Sequence, residues 1–181
     1  MKYNFLSSIY LVMITAMLAS QTLTAQDQPA RPHAENPEFH EEVAKYVDPD
    51  EVPLLDVKTL YENYSDYLIL DARAEEEFKV SHLPGARYVG YKDFDMDYVK
   101  RYDRSTPIVV YCSIGYRSSK IGEKLREAGY NDVYNLYGSI FEWVNRDYPL
   151  DNMQGERTDT IHAYNQNWSQ WIFNPNVEIV W

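Results

Sequence analysis

The sequence predicts an α/β fold in which a parallel sheet is covered by helices on both faces. Tyr67-Leu68-Ile69-Leu70 and Ile108-Val109-Val110-Tyr111 are unbroken apolar runs of strand length. Strands buried on both faces of a parallel sheet read this way, whereas half-exposed strands alternate. Stretches with apolar residues at helical spacing fall between and after these runs. That alternation is the order of βαβ units.

The chain opens with Lys2, a mostly apolar run from Phe5 to Leu18, and small or polar residues through Ala25-Gln26. This is the pattern of a secretory signal. The run falls short of the roughly 20 apolar residues that span a bilayer. Residues 1–25 are therefore expected to be removed, leaving a periplasmic or secreted protein without stable membrane insertion. Residues 26–51 form a leader, and prolines at 29, 32, 37, 49 and 53 punctuate this region. One short helix is expected through Phe39, Val43, Tyr46 and Val47. The main domain is placed at 52–150. Asp56 caps a helix carrying Val57, Leu60, Tyr61 and Tyr64 on one face, and the Tyr67 run follows as a strand. Glu75 to Val80 is a short acidic helix, His82-Leu83-Pro84-Gly85-Ala86 a turn before Arg87-Tyr88-Val89, and Asp95 to Arg101 another helix. After the Ile108 run and a tight loop, a helix is expected from Ser118 or Ser119, with Ile121, Leu125 and Ala128 on one side and a stop at Gly129. Val133 to Leu136 is a third strand, and a helix through Ile140-Phe141-Trp143-Val144 follows Gly138. Residues 151–181 form an aromatic extension, expected to dock on the core through Trp168 and Trp171. Val177 to Trp181 is read as a short edge strand.

Composition narrows the function. Seventeen Lys and Arg against 28 Asp and Glu give a formal net charge of −11, or −12 once Lys2 leaves with the signal (16 − 28). No basic cluster offers a face for phosphate neutralisation, so no nucleic-acid partner is expected. The single cysteine, Cys112, excludes an intrachain disulfide and any multi-cysteine metal cluster. No two of His33, His40, His82 and His162 stand at ligand spacing on one element, so neither metal nor cofactor is expected.

Cys112 ends a buried strand and opens the loop Ser113-Ile114-Gly115-Tyr116-Arg117-Ser118 before a helix. Ligands bind at this position in open α/β sheets. Loop amides and the first helical turn present N–H groups that favour an anion, here a thiolate or a species attached to it. Gly115 lets the loop curl, and Arg117 adds a positive charge. The thiol pKa is therefore expected below its ordinary value of roughly 8.5. The alternative is a buried cysteine acting as a small apolar residue.

The loop Cys112-Ser113-Ile114-Gly115-Tyr116-Arg117-Ser118 resembles the C-x-x-G-x-R-S active loop of rhodanese-like sulfurtransferases. Leu70-Asp71-Ala72-Arg73 with Glu76-Glu77-Phe78, and Ser81-His82-Leu83-Pro84-Gly85-Ala86, are similar to that family's D-x-R, E-E-F and G-H-I-P-G-A blocks. Val133 to Ser139, with Trp143 and Tyr148-Pro149, resembles its closing stretch. The resemblance implies a doubly wound sheet of about five parallel strands with Cys112 at its centre. It also implies transfer of a sulfane sulfur through a Cys112 persulfide, from a persulfide, polysulfide or thiosulfate donor to a thiol or cyanide, or through a sulfur-carrier protein. His162 to Trp171 is similar to an H-x-Y-N-x-x-W segment following some exported relatives.

Two alternatives stand beside this reading. One is a noncatalytic rhodanese-like module that binds a partner or carries sulfur. The other is a phosphatase or arsenate reductase, whose related loops count seven residues from Cys through Arg. Here Cys112 to Arg117 counts six. Ile114 and Ser113 stand where relatives often carry polar or basic residues, so weak use of thiosulfate is expected. Asp71 and Arg73 are read as a structural ion pair before pocket residues, His82 as a turn-locking hydrogen bonder before a base, and Trp143 as core before a substrate platform. Tyr116 faces either the pocket mouth or solvent.

Overall fold

The computed structural model describes residues 36–181, so the expected signal at 1–25 and the first part of the leader, with His33, lie outside the described residues. Helix α1 spans Pro37–Val43, with Pro37 in its first turn and the Asn36 side chain accepting from the amides of Glu38 and Phe39. Strand β1 (Leu54–Leu55) precedes α2 (Val57–Glu62), which Asp56 caps through the amide of Thr59 at 3.0 Å. A turn of 3-10 helix at Tyr64–Asp66 leads into β2 (Leu68–Asp71) and then α3 (Glu75–Val80). Strand β3 (Arg87–Tyr88), helix α4 (Met96–Val99) and strand β4 (Ile108–Tyr111) follow. Helix α5 (Tyr116–Glu127), β5 (Val133–Leu136) and α6 (Ser139–Asn145) complete the main domain.

The sheet has the order β1-β5-β4-β2-β3, and every pair in it is parallel. Strand β4 is central and buried throughout, which places Cys112 at the carboxyl end of the middle strand. Successive residues of the strands feed opposite faces, as the two-residue period of a strand requires. Ile69, Val109 and Tyr111 join one core with α1, α2 and α6, whereas Leu70, Ile108 and Val110 join a second with Ile121 and Leu125 of α5. The doubly wound five-stranded sheet is the expected one.

Several boundaries differ from expectation: α1 ends at Val43, short of Tyr46 and Val47, and α2 at Glu62, short of Tyr64. Helix α5 begins at Tyr116, not at Ser118 or Ser119, because Gly115 takes the cap position at φ +126°. An L-residue is strained at that angle, and the cap uses no side chain. Strand β1 is two residues long and was not foreseen.

After α6 the chain adds an antiparallel pair of β6 (Leu150–Asp151) and β7 (Arg157–Thr158). Strand β8 (Thr160–His162), helix α7 (Gln166–Ser169) and β9 (Glu178–Val180) follow. Strand β9 pairs in parallel with β8 in a separate two-stranded sheet, so it extends the tail and not the main sheet. Ile161, Ala163 and Ile172 are buried in the same core as Phe39 and Val43 of α1. Both segments flanking the main domain thus supply core. None of the described helices is long and apolar enough to cross a membrane.

Candidate active site

The loop after β4 is fixed by four residues of β5 and α6. The amide of Cys112 donates to Ser139 Oγ at 3.1 Å, and the carbonyls of Cys112 and Ser113 accept from the amides of Ile140 and Phe141, both at 3.2 Å. Asn135 Nδ2 donates to the Gly115 carbonyl at 2.9 Å. A Cβ on Gly115 would lie 2.7 Å from Val47 Cγ1, so close packing and backbone conformation both require glycine there. Ser139 itself sits at φ +51°, a strained angle held by its bonds to the Cys112 amide and the Leu136 carbonyl.

The thiol is buried, with the Gly115 amide donating to Sγ at 3.2 Å and Ser118 Oγ 3.5 Å away. Burial alone raises a thiol pKa. The Arg117 charge, the Ser118 hydroxyl and the amides of Ser118 and Gly115 oppose it and win, so Cys112 is held below the ordinary thiol range. The Ser118 hydroxyl has one proton for three acceptors: Sγ, the Gly115 carbonyl at 3.1 Å and Asn135 Oδ1 at 2.7 Å. A thiolate competes for that proton better than a thiol does.

Arg117 does not stand alone. Its guanidinium makes a two-pronged pair with buried Glu77 of α3, at 2.5 and 2.8 Å, and a further bond to Ser113 Oγ at 2.8 Å. Ser113 Oγ in turn donates to Glu77 at 3.2 Å. Burial pushes the Glu77 carboxyl up, but Arg117, the more distant Arg73 and the Ala74 amide bring it below its ordinary value. Glu77 was not among the expected site residues, nor were Asn135 and Ser139.

The remaining expected residues divide. Asp71 and Arg73 are fully buried and form a two-pronged ion pair, with Arg73 also bonded to the Ser81 carbonyl at 2.5 Å. Arg73 nonetheless borders the cavity over Cys112, and its Nη1 has no hydrogen-bond partner among the described residues. His82 is stacked on Phe78, its Nδ1 3.1 Å from the Phe78 carbonyl. That acceptor fixes the ring proton on Nδ1, and the His82 backbone pairs with Asp151. Trp143 is fully buried and donates to the Pro149 carbonyl at 2.8 Å, so it is core. Tyr116 is half exposed at the cavity. The cavity has a volume of about 610 Å³, and Cys112, Ser113, Ile114 and Arg117 line it.

The thiol at the end of the central strand is thus cradled by a loop amide and the start of α5. A family model described as the rhodanese-like domain matches residues 54–146. The chain belongs to the rhodanese-like domain family. The thiosulfate sulfurtransferase GlpE of Pseudomonas aeruginosa is 32% identical over 100 residues, covering 55% of this chain and 87% of that protein. The protein of the same name from Coxiella burnetii is 28% identical over 78 residues, covering 43% and 72%. The solution structure of a rhodanese-like domain from Anabaena sp. superposes with a TM-score of 0.53 at 24% identity, over 59% of this chain and 83% of that one. That likeness shows the fold. Tyr46, Val47, Tyr164 and Trp168 all lie outside the stretch that the rhodanese-like family model matches.

Proposed function

We propose that this protein is an exported sulfurtransferase that moves a sulfane sulfur through a persulfide on Cys112. The observation that carries the reading is the sulfur's surroundings: the Gly115 amide and the Ser118 hydroxyl meet Sγ, with Arg117 behind. The thiolate attacks the sulfane sulfur of the donor, whose leaving group departs with the bonding electron pair. The resulting persulfide is anionic and keeps the same N–H and O–H donors. A thiol or cyanide acceptor then takes the outer sulfur and returns the thiolate. No separate base is assigned, because the lowered thiol pKa favours the thiolate.

Thiosulfate is a poor donor in this reading. Ile114 gives the cradle no side-chain donor, and the Ser113 hydroxyl and Arg117 are engaged with Glu77. Persulfides, polysulfides or a carrier protein suit it better. Export rests on the pattern of residues 1–25, and the mass of the mature chain tests it.

Intact mass after incubation with polysulfide or thiosulfate tests the chemistry. Wild type is expected to gain one sulfur and Cys112→Ser none, with cyanide removing the sulfur as thiocyanate. A free Cys112 thiol that gains no sulfur from either donor would replace this reading with the noncatalytic module.

A further inference from the structure

Part of the wall of the Cys112 cavity comes from outside the matched domain. Tyr46 comes from the turn after α1, and Tyr164 and Trp168 come from the carboxyl-terminal extension. The three rings form one surface with the active loop. Tyr46 meets Trp168 at 5.8 Å and 66°, and meets Tyr116 at 6.3 Å and 79°, both edge to face. Tyr164 lies over the Arg117 guanidinium at 5.1 Å.

Exposure concentrates here too. The large hydrophobic side chains left exposed among the described residues are Tyr46, Tyr61, Tyr88, Tyr116, Met153, Tyr164, Phe173 and Trp181. Four of these eight, Tyr46, Tyr88, Tyr116 and Tyr164, border this one cavity. Clustered exposed apolar surface marks a binding site, whereas scattered residues do not. The charged lining is balanced, with Arg73, Lys92 and Arg117 against Glu75, Glu76 and Asp93, so it gives a dianion no net attraction. The volume of about 610 Å³ lies in the range of roughly 300–1,000 Å³ that houses organic ligands. Thiosulfate, a compact tetrahedral ion, leaves most of it unfilled.

We propose that Tyr46, Tyr164 and Trp168 are specificity-determining residues, which select sulfur donors carrying a planar or apolar organic body over bare thiosulfate. The inference rests on the reading of Cys112 as a sulfur carrier, and it assigns the flanking segments the task of gripping what the sulfur leaves behind. Aromatic walls bind such a body by offset and edge-to-face contacts at low entropic cost.

Organic thiosulfonates test it. The Cys112 thiolate attacks the terminal sulfur of R–SO2–S⁻, a bond forms between Sγ and that sulfur, and the bond to the sulfonyl sulfur breaks. The electron pair leaves with R–SO2⁻, and Cys112 carries the persulfide. The readout is the rate of persulfide formation by intact mass with benzenethiosulfonate and methanethiosulfonate, each divided by the rate of that donor with N-acetylcysteine. The benzene-to-methane ratio is expected near ten or above in wild type, about the worth of one or two ring contacts. Tyr164→Ala and Trp168→Ala are expected to bring it towards one, while Tyr164→Phe and Trp168→Phe keep most of it. Tyr164 is 53% exposed, so its replacement leaves the fold intact, which the melting temperature checks. A wild-type ratio near one, or a ratio that neither alanine variant moves, overturns the assignment while the Cys112 persulfide stands. No persulfide from either donor or from polysulfide overturns the sulfur-carrier reading itself, and this assignment with it.

Discussion

At the scale of single residues the site turns on how a buried sulfur is kept charged. Burial opposes the thiolate, and the Arg117 charge, the Ser118 hydroxyl and two amides outweigh it. The alkylation rate of Cys112 by iodoacetamide is therefore expected to rise with pH about a midpoint below roughly 8.5. Ser118→Ala shifts that midpoint upward, because the thiolate loses a donor and the thiol does not need one. A wild-type midpoint at or above the free value would contradict this balance. The thiol, the glycine and the arginine were legible in the sequence because their spacing is local. Glu77, Asn135 and Ser139 were not, because each reaches the loop from another element: Glu77 across 40 residues, Ser139 across 27 and Asn135 across 20. Glu77 looks in sequence like its neighbours Glu75 and Glu76, which line the cavity, and only the third of the run is buried.

At the scale of elements, Glu77 and Arg117 clamp α3 to the start of α5. Removing one partner of a buried ion pair leaves the other uncompensated, so Glu77→Gln is expected to destabilise the fold by about 3–5 kcal/mol, read by urea unfolding at neutral pH. The pH dependence has a definite sign. The Glu77 carboxyl titrates lower in the folded chain than in the unfolded one, so its contribution is present above the unfolded value of about 4.3 and is lost as pH falls through the folded value. The wild-type advantage over Glu77→Gln should thus narrow in acid, and an advantage that widens there would refute the clamp. The buried strands were legible from their unbroken apolar runs and the amphipathic helices from their period. Strand β1 was not, since two residues carry no period, and the start of α5 was misplaced because a glycine at positive φ replaces the serine cap that sequence leads one to expect.

At the scale of the whole molecule, the segments before and after the rhodanese-like domain share its core. Phe39 of α1 is fully buried, and its ring lies 5.7 Å from that of Trp171 in the extension. Phe39→Ala is expected to cost about 3–5 kcal/mol, as core phenylalanines do, although the residue lies well before the matched stretch. Urea unfolding measures this, and a loss below 1 kcal/mol would mean that α1 merely rests on the domain. A chain cut to residues 54–146 should unfold at lower denaturant still, because it bares the faces that α1 and the extension cover. Trp168 and Trp171 of the extension pack against the core, but the surface the extension shares with α1 was not legible, since no local pattern marks two distant segments as partners. The contact between Tyr46 and Trp168 has a consequence in time. It joins residues 122 positions apart (168 − 46), and contacts of such separation close late as a chain folds. During synthesis the sulfur-holding loop emerges some fifty residues before Trp168 (168 − 112 = 56), so the thiol meets the surrounding solution before its wall exists. A nascent chain of this protein is most open to oxidants in that interval.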